Sequence, residues 1–241
     1  MINMTSPRML AVRRLSRRLG LNGVAGKILG AGGYESKLSG KMLSSIAVGD
    51  CVWDVGANVG YYTTRFSDLV GAPGKVLAFE PSPRNREKLE AATSGKQNVT
   101  VLSSGLSDVG GEAVLLQGLD DIGATSRIVS DTSGSDAGHR VRLARGDDLV
   151  ASGEAARPNV LKIDVEGFEL EVVRGLEETL ESPAVRHLFL EIHFSLLEER
   201  GLPQAPAAIE ALLAGKGFHL TWMDPSHLHA YRDPERTGVE G

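Results

Sequence analysis

The segment Cys-Val-Trp-Asp-Val-Gly-Ala-Asn-Val-Gly, residues 51–60, is an apolar stretch that contains one acid and ends in a glycine-bracketed turn. Its first residues are β-branched, aromatic or small apolar types, which is typical of a strand buried on both faces of a parallel sheet. Asp54 stands where such a strand should end. We therefore predict a core strand here, with an acidic side chain at its carboxyl end.

The turn after this strand reads Gly-x-Asn-x-Gly, with Gly56 and Gly60 on either side of Asn58. Glycine lets the backbone turn sharply and lets a ligand approach the chain closely. Tyr61–Leu69 then has the pattern of a helix whose N-terminus would face that ligand. The segment predicts a strand, turn and helix that bind a nucleotide cofactor, and its alternative interpretation is a tight structural turn.

Two classes of cofactor are compatible with this arrangement. A dinucleotide fingerprint reads Gly-x-Gly-x-x-Gly and places a diphosphate at the helix N-terminus, but this turn has neither that spacing nor the middle glycine. An acid before the turn suits a cationic ligand, because a carboxylate would repel phosphates. S-adenosylmethionine, which carries an ammonium group and a positively charged sulfur, is such a ligand.

A second strand-end acid supports either cofactor. Lys75–Glu80 (KVLAFE) predicts a strand that ends at Glu80. An acid placed about 20 residues beyond the glycine turn is where ribose hydroxyls are bound in nucleotide-binding folds. Glu80 is therefore a predicted cofactor-binding residue, and alone it does not discriminate between S-adenosylmethionine and NAD(P).

Composition limits the class of protein. At 241 residues, the chain forms one α/β domain or one domain with an appendage. Its net charge of −5 disfavours a nucleic-acid partner, which requires a broad basic surface, and favours a small-molecule or neutral polymeric substrate. The lone Cys51 reads as a small buried hydrophobe. The chain has no apolar run of the roughly 18 to 20 residues that span a bilayer and no secretory signal, so we predict a cytoplasmic protein.

The N-terminal segment, residues 1–33, is basic and glycine-rich and is assigned apart from a domain spanning residues 34–241. Ser6 and Pro7 predict the start of a basic amphipathic helix that ends before Gly20. This helix could be a lid, an anionic-surface contact or a targeting peptide, or it could be a solvated helix that packs by its leucine stripe. A glycine-rich linker and a short helix at Lys37–Ile46 would lead into the core strand.

The following elements complete a mononucleotide-binding half. Ser82 predicts the cap of a helix that runs to Thr93, and Asn98–Ser103 predicts a third strand. Ser107 and Asp108 come where a loop of such a fold touches the adenine, and they could equally start the turn that follows. Further strands are predicted at Ala113–Gln117, His139–Leu143, Val160–Asp164, Arg186–His193, Phe218–Met223 and Leu228–Arg232, the last two forming a hairpin. The span Gly118–Gly138 reads as a loop.

Acids and one histidine follow the predicted strands, and in open α/β sheets ligands bind at that edge. They are Asp54, Glu80, Asp108, Asp164, Glu166, Glu191 and His193. A general base for a hydroxyl substrate would come from this set, and His193, oriented by Glu191, is attractive because its pKa lies near neutrality. The alternative is a satisfied structural histidine. Lys162 reads as a strand residue without catalytic duty.

A divalent metal is a further alternative at this edge. Asp164, Glu166, Glu191 and His193 could hold Mg²⁺, which prefers oxygen ligands. Their spacing does not specify a metal, so no metal ligand is assigned.

Five stretches together resemble the FkbM family of S-adenosylmethionine-dependent methyltransferases, over about residues 40–223. They are VWDVGANVGYYT, VLAFEPSP, the GLSD turn, VLKIDVEGFELEVVRG and LFLEIH. KIDVEGFE is the most specific, because the glycine turn alone occurs in many methyltransferases. The resemblance implies a class I methyltransferase fold: a Rossmann-like, doubly wound α/β sheet that is mostly parallel, with a C-terminal antiparallel hairpin.

The resemblance also implies site roles. The residues that would line the methionine end of the cofactor are Asp54, Gly56, Asn58 and Gly60. Glu80 would hold the ribose, and Ser107 or Asp108 would lie near the adenine. Asp164, with Glu166 behind it, would lie near the transferred methyl group. The family typically O-methylates hydroxyls of sugars and of secondary metabolites, as in antibiotic biosynthesis.

Our hypothesis is an S-adenosylmethionine-dependent O-methyltransferase that acts on a hydroxyl of a small natural product or saccharide, with Asp164, His193 and Glu191 as catalytic residues. Two other hypotheses are a non-catalytic scaffold that binds the cofactor and an NAD(P)-dependent oxidoreductase. A nucleic-acid amine methyltransferase is disfavoured, because the chain is acidic and has no Asn-Pro-Pro-Tyr or Asp-Pro-Pro-Tyr stretch.

Overall fold

The structure is a computed structural model that describes residues 31–116, 127–129 and 138–233. The predicted helix that starts at Ser6 and most of the span Gly118–Gly138 lie outside the described residues. Among those described, no helix is both long and apolar enough to cross a membrane.

The strands are β1 (Cys51–Val55), β2 (Lys75–Phe79), β3 (Val99–Leu102), β4 (Ser104–Ser107), β5 (Gly111–Leu116), β6 (Arg127–Val129), β7 (Gly138–Arg145), β8 (Val160–Ile163), β9 (His187–Glu191), β10 (His219–Trp222) and β11 (His227–Tyr231). The helices are α1 (Ala31–Ser44), α2 (Tyr61–Val70), α3 (Pro83–Thr93), α4 (Gly146–Ala151), α5 (Glu169–Arg174), α6 (Phe194–Glu199) and α7 (Ala205–Gly215), with a 3₁₀ turn at Thr179–Glu181.

The central sheet has seven strands in the order β10, β11, β9, β8, β1, β2, β3. β1 lies in the middle and is parallel to both β2 and β8. β11 is antiparallel to β9 and to β10, which forms the edge. The predicted fold class is therefore confirmed, including the parallel core and the C-terminal hairpin.

The strand order reverses at β1, and this positions the site. The chain runs outward from β1 through β2 to β3 and later returns to β8 on the other side of β1. At such a switch point the connections leave in opposite directions, so a crevice opens beyond the carboxyl ends of the two central strands.

β1 is the centre of the core, as its sequence predicts, and all five of its residues are buried. Trp53 packs its ring 4.9 Å from that of Phe79, and its Nε1 donates a hydrogen bond of 2.9 Å to the carbonyl of Ala156. The one polar atom of this buried ring is thereby satisfied.

A second, four-stranded sheet has the order β4, β7, β5, β6. β5 and β7 correspond to the two predicted short strands. The structure corrects two other expectations: residues 104–107 form β4, parallel to β7, where a turn was predicted, and β6 lies within the span predicted as a loop. A Cβ on Gly175 would lie 2.1 Å from the carbonyl oxygen of Ser107, so the end of α5 packs directly on β4.

Helix α1 begins at Ala31, six residues before the predicted start, so the last residues of the predicted linker are helical. Leu38 and Met42 of this helix are buried in a cluster with Val52, Phe66 and Phe189. These two side chains anchor α1 against the central sheet.

Candidate active site

A groove with a volume of about 200 Å³ opens beyond the carboxyl ends of β1, β2, β8 and β9. On the β2 side its polar lining is Asn58, Glu80 and Asn85; on the β8 and β9 side it is Asp164, Glu166, Glu191 and His193. Apolar side chains, among them those of Phe79, Leu106, Leu115 and Phe168, complete the walls. The groove thus joins an amide-rich side to an acidic side.

The glycine turn packs against the chain itself. Gly56 has φ +79°, and a Cβ there would lie 1.9 Å from the carbonyl oxygen of Asp164. Gly60 has φ +89°, and a Cβ there would lie 2.8 Å from Leu89. Asn58, with φ +51°, also adopts the left-handed conformation, which asparagine tolerates better than most residues. The close approach predicted for a ligand is therefore made, at Gly56, by the segment that follows β8.

Asp54 lies behind the turn, fully buried, and is not among the groove-lining residues. Its Oδ2 accepts a hydrogen bond of 2.7 Å from the Thr63 hydroxyl, and its Oδ1 is 3.2 Å from the Nζ of Lys162. The direct contact between this carboxylate and a cationic ligand stays a prediction. In this conformation Asp54 holds the turn in place.

Lys162 is the cation at the centre of this arrangement, which the sequence did not indicate. Its Nζ is 3.1 Å from the carbonyl oxygen of Gly56 and 3.5 Å from the Oδ2 of Asp164. Burial opposes its charge, but the carboxylates of Asp54 and Asp164 outweigh burial and raise the pKa of Lys162. A charged lysine therefore ties β1, the glycine turn and the end of β8 together.

Glu80 is placed where the sequence predicts, at the groove end of β2, and is 6% exposed. Its two oxygens accept hydrogen bonds of 2.8 Å from the backbone amides of Asn58 and Ser82. Burial, which outweighs these bonds, raises the pKa of Glu80 to about 7. Each oxygen keeps a lone pair, so the carboxylate can still accept from a hydroxyl in the groove.

Asn85 is a groove residue that sequence reasoning missed. It lies in the first turn of α3 and is 3% exposed, and its Oδ1 has no hydrogen-bond partner among the described residues. The Oδ1 of Asn58 also lacks one. The signal for it in the sequence is an amide three residues after the Ser82 cap, in a segment whose pattern otherwise predicts only a helix start.

Ser107 and Asp108 do not line the groove, although their neighbours Gly105 and Leu106 do. Ser107 is buried in β4, and its hydroxyl lies 3.2 Å from the Oδ1 of Asp108. Their contact with an adenine stays a prediction.

The acidic side of the groove brings the three predicted catalytic residues together. The Nε2 of His193 lies 3.8 Å from the Oδ1 of Asp164 and 3.9 Å from the Oε1 of Glu191. Glu166 is closer still, with its Oε2 at 3.4 Å from the same nitrogen. Asp164 and Glu166 lie on the turn beyond β8, which ends at Ile163.

Glu169, not Glu191, orients His193, which corrects the sequence prediction. Glu169 is fully buried at the start of α5, and its Oε1 lies 2.7 Å from the Nδ1 of His193. The same oxygen accepts a hydrogen bond of 2.9 Å from the backbone amide of Gly167. Glu169 belongs to the KIDVEGFE segment, but nothing in that segment indicates a contact with a histidine 24 residues away.

The surroundings of His193 change its expected charge. Burial disfavours the charged imidazole, but the hydrogen bond to Glu169 and the charges of Glu169, Glu166 and Asp164 outweigh burial and raise the pKa of His193 to about 9. At neutral pH the ring is therefore a donor, and the near-neutral base expected from the sequence is not present in this form.

Glu166 has the properties of a proton acceptor near neutral pH. Burial, followed by the charges of Asp164, Glu191 and Glu169, raises its pKa to about 7 against the opposing effect of His193. Its φ of +51° is uncommon for a residue with a long side chain. Strained backbone of this kind costs about 1 to 3 kcal/mol and clusters at functional sites.

A second histidine extends the network from Glu191. The Nε2 of His227 is 3.4 Å from the Oε2 of Glu191, and its Nδ1 is 2.7 Å from the Oδ2 of Asp224. The bond to His227 is the main cause of a lowered pKa of Glu191. Glu191 therefore stays ionised at a pH at which Glu166 can take up a proton.

Among the described residues, Asp164, Glu191 and His193 form a set whose ligand atoms all lie within 4.8 Å of one another. Carboxylate oxygens and an imidazole nitrogen suit Mg²⁺, Mn²⁺ or Zn²⁺, so this set could hold a divalent ion. A proton on the Nε2 of His193 and a metal on it exclude each other.

Comparisons with known proteins identify the family to which the chain belongs. The profile of the methyltransferase FkbM domain matches residues 54–220. The chain is 35% identical over 145 residues to the hexuronic acid methyltransferase AglP of Haloferax volcanii, covering 60% of this chain and 56% of that protein. It is 28% identical over 220 residues to the 31-O-demethyl-FK506 methyltransferase FkbM of Streptomyces tacrolimicus, covering 80% and 78%.

The solved structure of methyltransferase FkbM from Methylobacillus flagellatus has the same fold, with a TM-score of 0.50 at 15% identity. The match covers 76% of this chain and 43% of that chain. This chain thus spans about half the length of AglP and of that solved protein. Because the family profile extends from the core strand to β10, the chain belongs to the methyltransferase FkbM domain family.

Proposed function

We propose that this protein transfers a methyl group from S-adenosylmethionine to a hydroxyl of a small natural product or saccharide. The observation that carries the proposal is that one groove places hydrogen-bond acceptors suited to a nucleoside beside a cluster suited to removing a hydroxyl proton. Glu80, Asn58 and Asn85 form the first group, and Asp164, Glu166 and His193 belong to the second.

The residues of the β2 side fit the cofactor. The buried amide oxygens of Asn58 and Asn85 have no hydrogen-bond partner within the described part of the chain, and Glu80 keeps free lone pairs beside them. Ribose hydroxyls and an ammonium group are donors that would satisfy such acceptors. When bound, S-adenosylmethionine supplies a methyl group on a positively charged sulfur, and a groove lined by carboxylates favours that charge.

The protein's task in this reaction is alignment and proton removal. Transfer would require the acceptor oxygen in line with the methyl carbon and the sulfur, so orientation by the residues of the groove would contribute most of the rate. The hydroxyl proton passes to a carboxylate oxygen of Glu166 or Asp164. His193, held by Glu169, keeps its Nε2 directed at these carboxylates, and apolar walls such as Phe168 exclude water.

The nature of the acceptor is supported by the relatives and by the charge of the chain. The two curated relatives are named for methylation of a hexuronic acid and of 31-O-demethyl-FK506, which supports a saccharide or another hydroxylated small molecule. The net charge of −5 supports the same class over a nucleic acid.

A binding and transfer experiment tests the proposal. Calorimetry with S-adenosylhomocysteine should show saturable binding, whereas NADH and NADPH should show none. Incubation with S-adenosylmethionine carrying a deuterated methyl group and a panel of sugars and polyketide alcohols should produce labelled ethers, detected by mass spectrometry. Binding without label in any acceptor would favour a scaffold, and binding of NADPH alone would favour an oxidoreductase.

A further inference from the structure

Two asparagines of the groove differ from the other asparagines in the described part of the chain. Asn98 accepts from the hydroxyl of Ser67 and donates to the carbonyls of Ser67 and Gly71. Asn159 accepts from the amide of Cys51 and donates to the carbonyl of Ala184. The Oδ1 atoms of Asn58 and Asn85 are buried and have no hydrogen-bond partner in residues 31–116, 127–129 and 138–233, and both residues line the groove. Unpaired amide oxygens therefore occur where a ligand would sit.

Of the two asparagines, Asn85 is the one that indicates a new ligand contact, because neither the sequence pattern nor the family resemblance assigned it a role. The residue is only 3% exposed. An unpaired buried amide costs about 1 to 3 kcal/mol, so a protein retains one where a ligand or an ordered water pairs with it. The helix cap does not explain the side chain, since the Ser82 hydroxyl accepts from the backbone amide of Asn85.

The position of Asn85 relative to Glu80 indicates which part of a ligand it meets. One oxygen of Glu80 accepts from the amide of Ser82, two residues on, and the other accepts from the amide of Asn58. Ser82 in turn caps the helix turn that carries Asn85. Asn58, Glu80 and Asn85 thus form one wall with acceptors of two kinds, a carboxylate and two amides.

A vicinal diol matches this wall. One hydroxyl can donate to the carboxylate while its neighbour donates to an amide oxygen. Hydroxyls both donate and accept, so the match holds for either rotation of the amide. We infer that Asn85 is a ribose-binding residue, whose amide pairs with a ribose hydroxyl of S-adenosylmethionine beside Glu80. The inference rests on the proposed function.

The first test compares full-length Asn85→Leu with the matched control Asn98→Leu. Asn85→Leu should weaken binding of S-adenosylhomocysteine about tenfold in calorimetry, the effect of losing one hydrogen bond in a desolvated site. Its thermal midpoint without ligand should be unchanged or higher, because the substitution removes an unpaired polar group. Asn98→Leu, which breaks satisfied bonds outside the groove, should lower the midpoint and leave the affinity unchanged.

The second test uses S-adenosylhomocysteine analogues that lack the 2′ or the 3′ hydroxyl. The wild-type protein should bind one of them about tenfold more weakly, and for that analogue the penalty of Asn85→Leu should largely disappear, because the lost partner is already missing. Asn85→Ser, which keeps a hydroxyl at a smaller volume, should recover part of the affinity for S-adenosylhomocysteine.

Three outcomes distinguish a failure of the Asn85 assignment from a failure of the proposed function. Wild-type affinity in Asn85→Leu would overturn the role of Asn85 while leaving the proposed function intact. An undiminished penalty with both deoxy analogues would place the amide against another part of the cofactor and overturn the ribose assignment. A wild-type protein that fails to bind S-adenosylhomocysteine would overturn the proposed function itself.

Discussion

Substitution of Glu169 by glutamine should change the protonation of His193. The two side chains are joined by a contact of 2.7 Å, and Glu169 is fully buried. Removing the negative charge removes a preference of about 2 kcal/mol for the protonated ring over the neutral ring, and about 2 kcal/mol corresponds to about 1.5 pH units. We therefore expect the pKa of His193 to fall from about 9 to about 7.5.

The same change should alter stability as a function of pH. The folded pKa of His193, about 9, lies above its ordinary value of 6.5, so the folded state holds the proton more tightly. This contribution is fully present below pH 6.5 and is lost as the pH rises through about 9. It amounts to about 3 kcal/mol, which Glu169→Gln should reduce by about 2 kcal/mol.

The assay is an NMR titration of the histidine ring protons with EDTA present, with the resonance of His193 assigned from a His193→Asn variant. Urea unfolding at pH 6, 7.5 and 9 measures the linked stability. Glu181→Gln is the matched control, because Glu181 pairs with Lys216 at 2.6 Å on the surface and should leave His193 unchanged. A wild-type His193 that titrates at or below pH 6.5, or an identical value in Glu169→Gln, would refute the reasoning.

Three further substitutions test the site and the fold. Asp164→Asn should slow methyl transfer at least tenfold, which is a usual magnitude for losing an acid–base group, while the affinity for S-adenosylhomocysteine changes less. Equal losses of rate and of affinity would contradict a catalytic role of Asp164. Gly56→Ala should abolish S-adenosylhomocysteine binding, because its Cβ would lie 1.9 Å from the Asp164 carbonyl oxygen; Gly49→Ala, at φ +90° with open space around it, isolates the backbone strain. Arg232→Met should lower the free energy of unfolding by about 3 kcal/mol or more, measured by urea titration, because the guanidinium donates to the carbonyls of residues 180, 182, 185 and 216. Arg140→Met, on the surface, should change the free energy of unfolding little. A similar loss in the Arg232 and Arg140 variants would contradict the stabilising role of Arg232.

Local chemistry explains why much of the fold could be predicted. The apolar run before Asp54 and the left-handed glycines after it lead to one arrangement of strand, turn and helix, and β1 and α2 follow it within one residue. The capping serine at 82 likewise marks the start of α3. These signals act over a few residues, so they do not depend on contacts with the rest of the chain.

The second sheet was harder to predict because its strands depend on distant partners. β4 is short and contains serine and glycine, and it pairs with β7, whose residues lie 38 positions later. Nothing local to Ser107 indicates a strand, since its hydrogen bonds come from that partner. The turn prediction for this segment was wrong for that reason.

The sequence by itself determined the doubly wound sheet and the acids that gather at its carboxyl edge, because hydrophobic patterning and glycine turns act locally. Only the tertiary structure decided what each acid contacts. β8 returns beside β1 with Lys162 opposite Asp54, and this register neutralises the acid that the sequence assigned to the ligand. Glu169, at the start of α5, meets His193, which follows β9, in the same way. Charge pairing depends on distances of a few ångströms between segments far apart in the chain, and such distances are set by packing.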